Sequence, residues 1–276
     1  MLAIVLALGT SVAYGTSNFL GPLLGRRHHV AAVLLIGQLA ALAGAVALVV
    51  ASGEDAPPTR EALIGVGAGC GNILGLACFY RAAQLGPVSI AAAMGALGTT
   101  FPVLYGLANG ESLAHHQIAG VLLAVAGAVL AAQKPAEGPG ATPAFIGWSL
   151  LGACGFGGFL IALPEAAAEG TAWALLDARL AVVVLLVSGI LVLRTPATFH
   201  APSAPLLAAP GVLLLLGTLA YAEATARGQI SVVAVLSSLA TVVTVALAFL
   251  VLGERLAPLQ RTGVACAIAG TILLAI

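Results

Sequence analysis

The chain has 276 residues with ten basic and ten acidic side chains, so its formal net charge is zero; only 7% of residues are charged and 61% are hydrophobic. Mean hydropathy is +1.13. This excludes an aqueous globular domain, in which about a quarter of residues are charged, and the absence of a Lys/Arg cluster interleaved with aromatics argues against a nucleic-acid partner.

Apolar runs long enough to cross a hydrocarbon core of about 30 Å as helices follow one another at 2–24, 30–51, 61–83, 88–108, 115–132, 143–163, 172–193, 206–226, 229–250 and 258–276. The expected fold is all-α and integral to the membrane, with ten transmembrane helices. The first run lacks the basic leader of a signal peptide and is expected to be a retained helix. It carries Ser11, Tyr14 and Asn18 at helical spacing, and Arg26-Arg27-His28-His29 follows it. The second run holds Gln38. The third holds Asn72, Tyr80 and Arg81, with Gly67, Gly71 and Gly75 at the four-residue spacing that lets helices approach closely. The fourth contains Pro102. Gly110-Glu111 and His115-His116 lead into the fifth. The seventh carries Asp177 and Arg179, which point to different faces of a helix and cannot form a simple pair. The eighth carries Thr218, Tyr221, Glu223 and Thr225, and the ninth Ser237, Ser238, Thr241 and Thr244.

The runs form two copies of one unit. The phrase Gly110-Glu111-x-Leu113-x-x-x-Gln117-x-x-Gly120-Val121 returns as Gly253-Glu254-x-Leu256-x-x-x-Gln260-x-x-Gly263-Val264, and Ala82, Gly86, Ser89, Ala92, Leu97 and Thr99 return as Ala224, Gly228, Ser231, Ala234, Leu239 and Thr241. Ala13, Gly15, Phe19 and Leu20 return as Ala153, Gly155, Phe159 and Leu160. The units span 1–134 and 143–276. Five crossings each is an odd number, so the second copy enters the membrane from the opposite side, giving two inverted five-helix repeats. Two such halves can exchange conformations about a shared central site, which is a transporter architecture.

The fragment from Gly228 to Leu239, Leu252-Gly253-Glu254-Arg255-Leu256 with Gln260-x-x-Gly263, and Tyr80-Arg81-Ala82-Ala83-x-x-Gly86-Pro87-Val88-Ser89 together resemble the EamA-type transporters of the drug/metabolite transporter superfamily over essentially the whole chain. The resemblance implies a secondary transporter, usually an exporter of amino acids or other small metabolites, working by alternating access in the inner (plasma) membrane of a bacterium. It also implies cytoplasmic termini, although the arginine-rich side of the ten-span arrangement is the opposite one, which the positive-inside rule would make cytoplasmic. Family members often carry Pro thirteen residues before the Glu, where this chain has Gly98 and Thr241; a kink in the fourth span is expected to be displaced and the ninth to be straighter. Gln38 stands opposite Arg179 in the repeat, where family members often have Arg at both positions.

Charges inside a bilayer cost at least about 2.5 kcal/mol and point to function. Arg81, Asp177, Arg179 and Glu223 are therefore singled out. Tyr14, Asn18, Asn72, Tyr80, Arg179, Tyr221, Ser238 and Thr241 are expected to line a substrate cavity, because an amide or phenol without a partner in hydrocarbon is costly. Asp177 and Glu223 are the candidate proton-coupling carboxylates, each open to neutralisation by Arg179 or Arg81, which would favour passive facilitation. Glu111 and Glu254 are expected to be structural, near the exposed N–H groups of the helices that follow them. Cys70, Cys78, Cys154 and Cys266 are expected as small buried hydrophobes, and no catalytic group, cofactor or metal is expected; the adjacent histidines are expected to be solvated. The partners are the bilayer and a small-molecule substrate, with a monomeric state. Alternatives are a multidrug or organic-cation exporter and, from another class, an intramembrane enzyme or a helical scaffold without transport.

Overall fold

The computed structural model of the chain describes residues 1–111, 114–131, 142–198, 201–253 and 257–275. Glu254, Arg255, Leu256 and Lys134 lie outside them. Among the described residues every regular element is helical: α1 (Leu2–Gly25), α2 (Val30–Ser52), α3 (Thr59–Leu85), α4 (Val88–Gly95), α5 (Thr100–Ala108), α6 (His115–Ala131), α7 (Pro143–Ala166), α8 (Thr171–Leu193), α9 (Ala204–Thr225), α10 (Ile230–Ser237), α11 (Ala240–Leu252) and α12 (Pro258–Ala275). The phrase Gly-Glu recurs for a backbone reason: Gly110 and Gly253 have φ of +87° and +66°, a left-handed conformation that ends α5 and α11 without the clash a Cβ brings.

Among the described residues, eight segments are long and apolar enough to cross a membrane: α1, α2, α3, Ile90–Ala108, α7, α8, α9 and Ile230–Leu252. Ten were expected. The fifth and tenth runs form α6, of 17 residues, and α12, of 18, which pack against each other. Gly120, Gly127, Gly263 and Gly270 are all buried there. The outer surface is apolar, with Val50 and Val192 each 79% exposed, while Thr10, Ser11, Ser17, Gln38, Asn72, Arg179, Thr218 and Thr244 are buried. This inside-out distribution belongs in lipid: polar groups gain partners in the interior and aliphatic ones lose nothing outside.

The fourth and ninth segments are both discontinuous. In the fourth, a 3₁₀ turn at Ala96–Thr99 separates α4 from α5. In the ninth, α10 stops at Ser237 and α11 starts at Ala240. The expectation of a straighter ninth helix is therefore corrected: the break forms without proline, and its freed backbone groups are met by short-range bonds such as Ser238 N to Val235 O and Thr241 N to Ser238 O. The two broken segments pack crosswise, α4 on α11 and α5 on α10.

Neighbour relations repeat in pairs. α1 packs on α9 as α7 does on α3, α2 on α9 as α8 on α3, and α1 on α11 as α7 on α5. Glycines set the closest crossings. A Cβ at Gly211 of α9 would collide with the Gly37 backbone of α2, and one at Gly69 of α3 with the Ala178 backbone of α8. Within the glycine stripe of α3, Gly71 and Gly75 meet α7 at Gly155, Phe156 and Phe159, whereas Gly67 faces open space. Directions are read from the same neighbours: Gly71 lies by Phe159, Gly75 by Phe156 and Gly86 by Phe145, so α3 and α7 run antiparallel, while Gly21 at the end of α1 meets Tyr80 at the end of α3, so α1 and α3 run parallel.

Candidate functional site

A cavity of about 80 Å³ lies where the two broken segments cross. The first half contributes Tyr14, Asn18, Asn72, Phe79, Ala92, Gly95 and Thr99; α7, α9, α10 and α11 contribute Phe156, Phe159, Leu160, Leu214, Ser237, Ser238, Ala240 and Thr241. Several walls are repeat counterparts: Thr99 with Thr241, Gly95 with Ser237, Asn72 with Leu214. The copies have diverged, so polar groups stand on one side of each of the last two pairs. Aromatic rings crowd one region, where Phe79 and Phe156 are 6.4 Å apart between centroids.

Of the residues expected to line the cavity, Tyr14, Asn18, Asn72, Ser238 and Thr241 do so. Tyr80, Tyr221 and Arg179 do not. Tyr80 is buried among Leu24, Val33 and Phe79, with its hydroxyl against Gly21. Tyr221 is fully buried and donates to Leu160 O at 3.0 Å, tying α9 to α7. A helix turns about 100° per residue, which leaves Phe79 in the cavity wall and carries Tyr80 away from it.

Arg179 sits behind the wall, only 1% exposed. Its guanidinium donates to Thr218 Oγ1 at 2.7 Å, to Gln38 Oε1 at 3.1 Å and to Asn72 Oδ1 at 3.5 Å. Tyr14 donates to the same Thr218 hydroxyl at 3.2 Å, and Thr218 in turn donates to Leu214 O at 2.6 Å. Gln38 and Thr218 thus belong to this network together with two cavity-lining residues; the repeat correspondence of Gln38 with Arg179 was the signal for the first. Arg179 Nε, Asp177 Oδ2 and Ser237 Oγ are buried without a hydrogen-bond partner.

The candidate coupling carboxylates lie elsewhere. Glu223 forms an ion pair with Arg227 one turn along α9, not with Arg81. Arg81 is exposed on α3 and bonds Gln84 at 3.1 Å. Asp177 forms no ion pair with Arg179 and lies against Gly65 of α3. Neither carboxylate lines the cavity. Glu111 is structural, but its target is not the following helix: it accepts from Ile230 N at 2.9 Å, Ser231 N at 3.3 Å and Ser231 Oγ at 2.5 Å, capping α10 of the other half. Glu54 does the same for α8 through Ala172 N at 3.0 Å, while Trp173 Nε1 donates to Glu54 O at 2.9 Å. Tyr105 donates to Glu165 at 2.7 Å, linking α5 to α7. The cysteines differ from expectation: Cys78 is buried, but Cys70 and Cys154 are exposed on the apolar surface, where a thiol is small and apolar enough to meet lipid. His29, His115 and His116 are exposed, the last two in the first turn of α6.

Helices with apolar outer faces, a buried polar network and a cavity shared between two related halves define a multi-pass helical membrane protein. The EamA-like transporter family model matches residues 1–133 and 143–276, so the chain belongs to that family, a family of membrane transporters. One solved structure, titled "Crystal structure of protein", is similar with a TM-score of 0.71 at 20% identity, over 98% of this chain and 95% of its own; at that identity the likeness concerns the fold. No curated protein matches the sequence.

Proposed function

We propose that this protein is a secondary carrier in the inner membrane that exports, or passively equilibrates, small metabolites such as amino acids by alternating access, with the central cavity as its substrate site. The observation that carries this reading is the composition of the cavity wall: both halves contribute to it, at the two helix breaks. An inverted relation between the halves, with α6 and α12 as the fifth and tenth crossings, is supported by the parallel run of α1 and α3 and the antiparallel run of α3 and α7. If the halves exchange conformations, the site faces each side of the membrane in turn. One chain supplies both repeats, so a monomer suffices.

No acidic residue is among those lining the cavity, which disfavours an organic-cation exporter. Glu223 paired with Arg227, and Asp177 set away from the cavity, support facilitation or weak coupling over obligate proton exchange. Comparing the metabolites released by cells with and without the protein identifies candidate substrates. In liposomes the protein should then move such a substrate down its gradient with no imposed pH difference, and Glu223→Gln should retain most of that flux. Loss of flux in both experiments would establish an obligate proton antiporter and overturn the facilitator.

A further inference from the structure

Arg179 poses an electrostatic question. A buried guanidinium is ordinarily matched by a carboxylate, because an uncompensated charge in the interior costs several kcal/mol. Here its acceptors are all neutral: an amide oxygen from Gln38, another from Asn72, and the Thr218 hydroxyl. Asp177, two residues away on the same helix, makes no ion pair with it. The positive charge is solvated by dipoles but not cancelled, and Nε has no partner.

One of these dipoles, Asn72, opens onto the cavity, and a second cavity residue, Tyr14, reaches the network through Thr218. Asn72 spends Oδ1 on Arg179, so its Nδ2 donors stand on the far side of the amide from the cation and make no hydrogen bond among the described residues. Independently, Ser237 lines the cavity at 4% exposure with its hydroxyl unpartnered. A buried hydroxyl without a partner costs about 1–3 kcal/mol, a cost that a ligand's oxygen removes. The remaining wall is apolar and aromatic, with Phe79, Phe156 and Phe159.

We propose that the cavity binds small organic anions or zwitterions through a carboxylate, which Asn72 and Ser237 contact and Arg179 neutralises from behind the wall, while the apolar remainder of the ligand lies on the phenylalanine cluster. The proposal rests on the cavity being the transport site and adds the charge class of what it carries. It assigns Arg179 a positioning and charge-balancing role, not a direct contact.

The cavity's potential is measurable without knowing the substrate. Ser238→Cys and, separately, Asn18→Cys place a thiol in the wall, and purified protein is reacted with the anionic sulfonatoethyl and the cationic trimethylammonioethyl methanethiosulfonates, correcting for the native cysteines with the parent protein. Relative to a free thiol in solution, the anionic reagent should be favoured at least about tenfold, as one unit charge some 10 Å away at an effective dielectric near 20 would give. Gln38→Glu, which sets a carboxylate against Arg179 without changing side-chain size, should abolish that preference, and Arg179→Lys should preserve it. Equal rates, or a preference for the cationic reagent, would overturn the anion site and leave the carrier standing. Thiols that react with neither reagent would instead remove the accessible cavity and the transport reading with it.

Discussion

Arg179 shows how a single polar residue is accommodated in this interior. Its two terminal nitrogens are met by groups on α2, α3 and α9, and the Thr218 hydroxyl serves Arg179, Tyr14 and Leu214 O at once. Thr218→Val keeps the shape and removes that junction, leaving Arg179 and Tyr14 each short of an acceptor; a loss of about 1–3 kcal/mol is expected, read as a lower melting temperature of the detergent-purified protein. Glu223 is the contrasting case. Its partner Arg227 is 45% exposed, where pairs contribute about 0–1 kcal/mol, so Glu223→Gln should leave the melting temperature nearly unchanged. Both residues stand out equally in the sequence as charges inside apolar runs. Their different fates come from angular position on the helix and distance from its end, which set whether a neighbouring helix or the interface receives the side chain.

Helix pairs are governed by where glycine permits approach. Gly211→Val should prevent the α2–α9 crossing, since the added atoms would occupy the position of the Gly37 backbone, which cannot rotate aside as a side chain can; poor recovery of folded, monodisperse protein is the expected readout. Gly67→Ala is the matched control, because its Cβ enters open space and removes a helix glycine, stabilising by roughly 0.5–1 kcal/mol. Helix starts are governed from a distance. Gln229 makes no side-chain cap on α10, and Glu111 supplies one from the opposite half. Glu111→Ala is expected to cost about 0.5–2 kcal/mol, visible as a lowered melting temperature, with Ser231→Ala weakening the same junction. Glycine spacing and the repeated Gly-Glu phrase were visible in the sequence, but not which glycines met a partner, nor that the carboxylate would cross to the other repeat.

For the molecule as a whole, the decisive question is whether α6 crosses the membrane, because its crossing inverts the second repeat. Single cysteines at Ala114 and Thr142, which flank α6 and its following segment, should be labelled by an impermeant thiol reagent from opposite faces of the membrane. Labelling of both from one face would contradict the opposite directions of α1 and α7, and alternating access by exchange of inverted repeats would lose its structural basis.

Membrane residence, the helical class, the duplication and the family were legible in the sequence because each depends on the kind and order of residues: apolar runs of bilayer length, an absence of charge, and phrases that recur at a nearly constant interval. Tyr14, Asn18, Asn72, Ser238 and Thr241 stand out in the sequence as polar groups in apolar runs, and they meet around one cavity because polar groups on inward helix faces share a non-lipid environment. Tertiary structure alone decided that Phe79 lines the cavity while Tyr80 turns away, that the ninth segment breaks without proline, and that Arg179 stands behind Asn72 and Thr218. These outcomes depend on helix rotation and on partners more than a hundred residues away in the chain, such as Asn72 for Arg179 and Glu111 for α10, and no local pattern encodes which of many similar apolar faces meet.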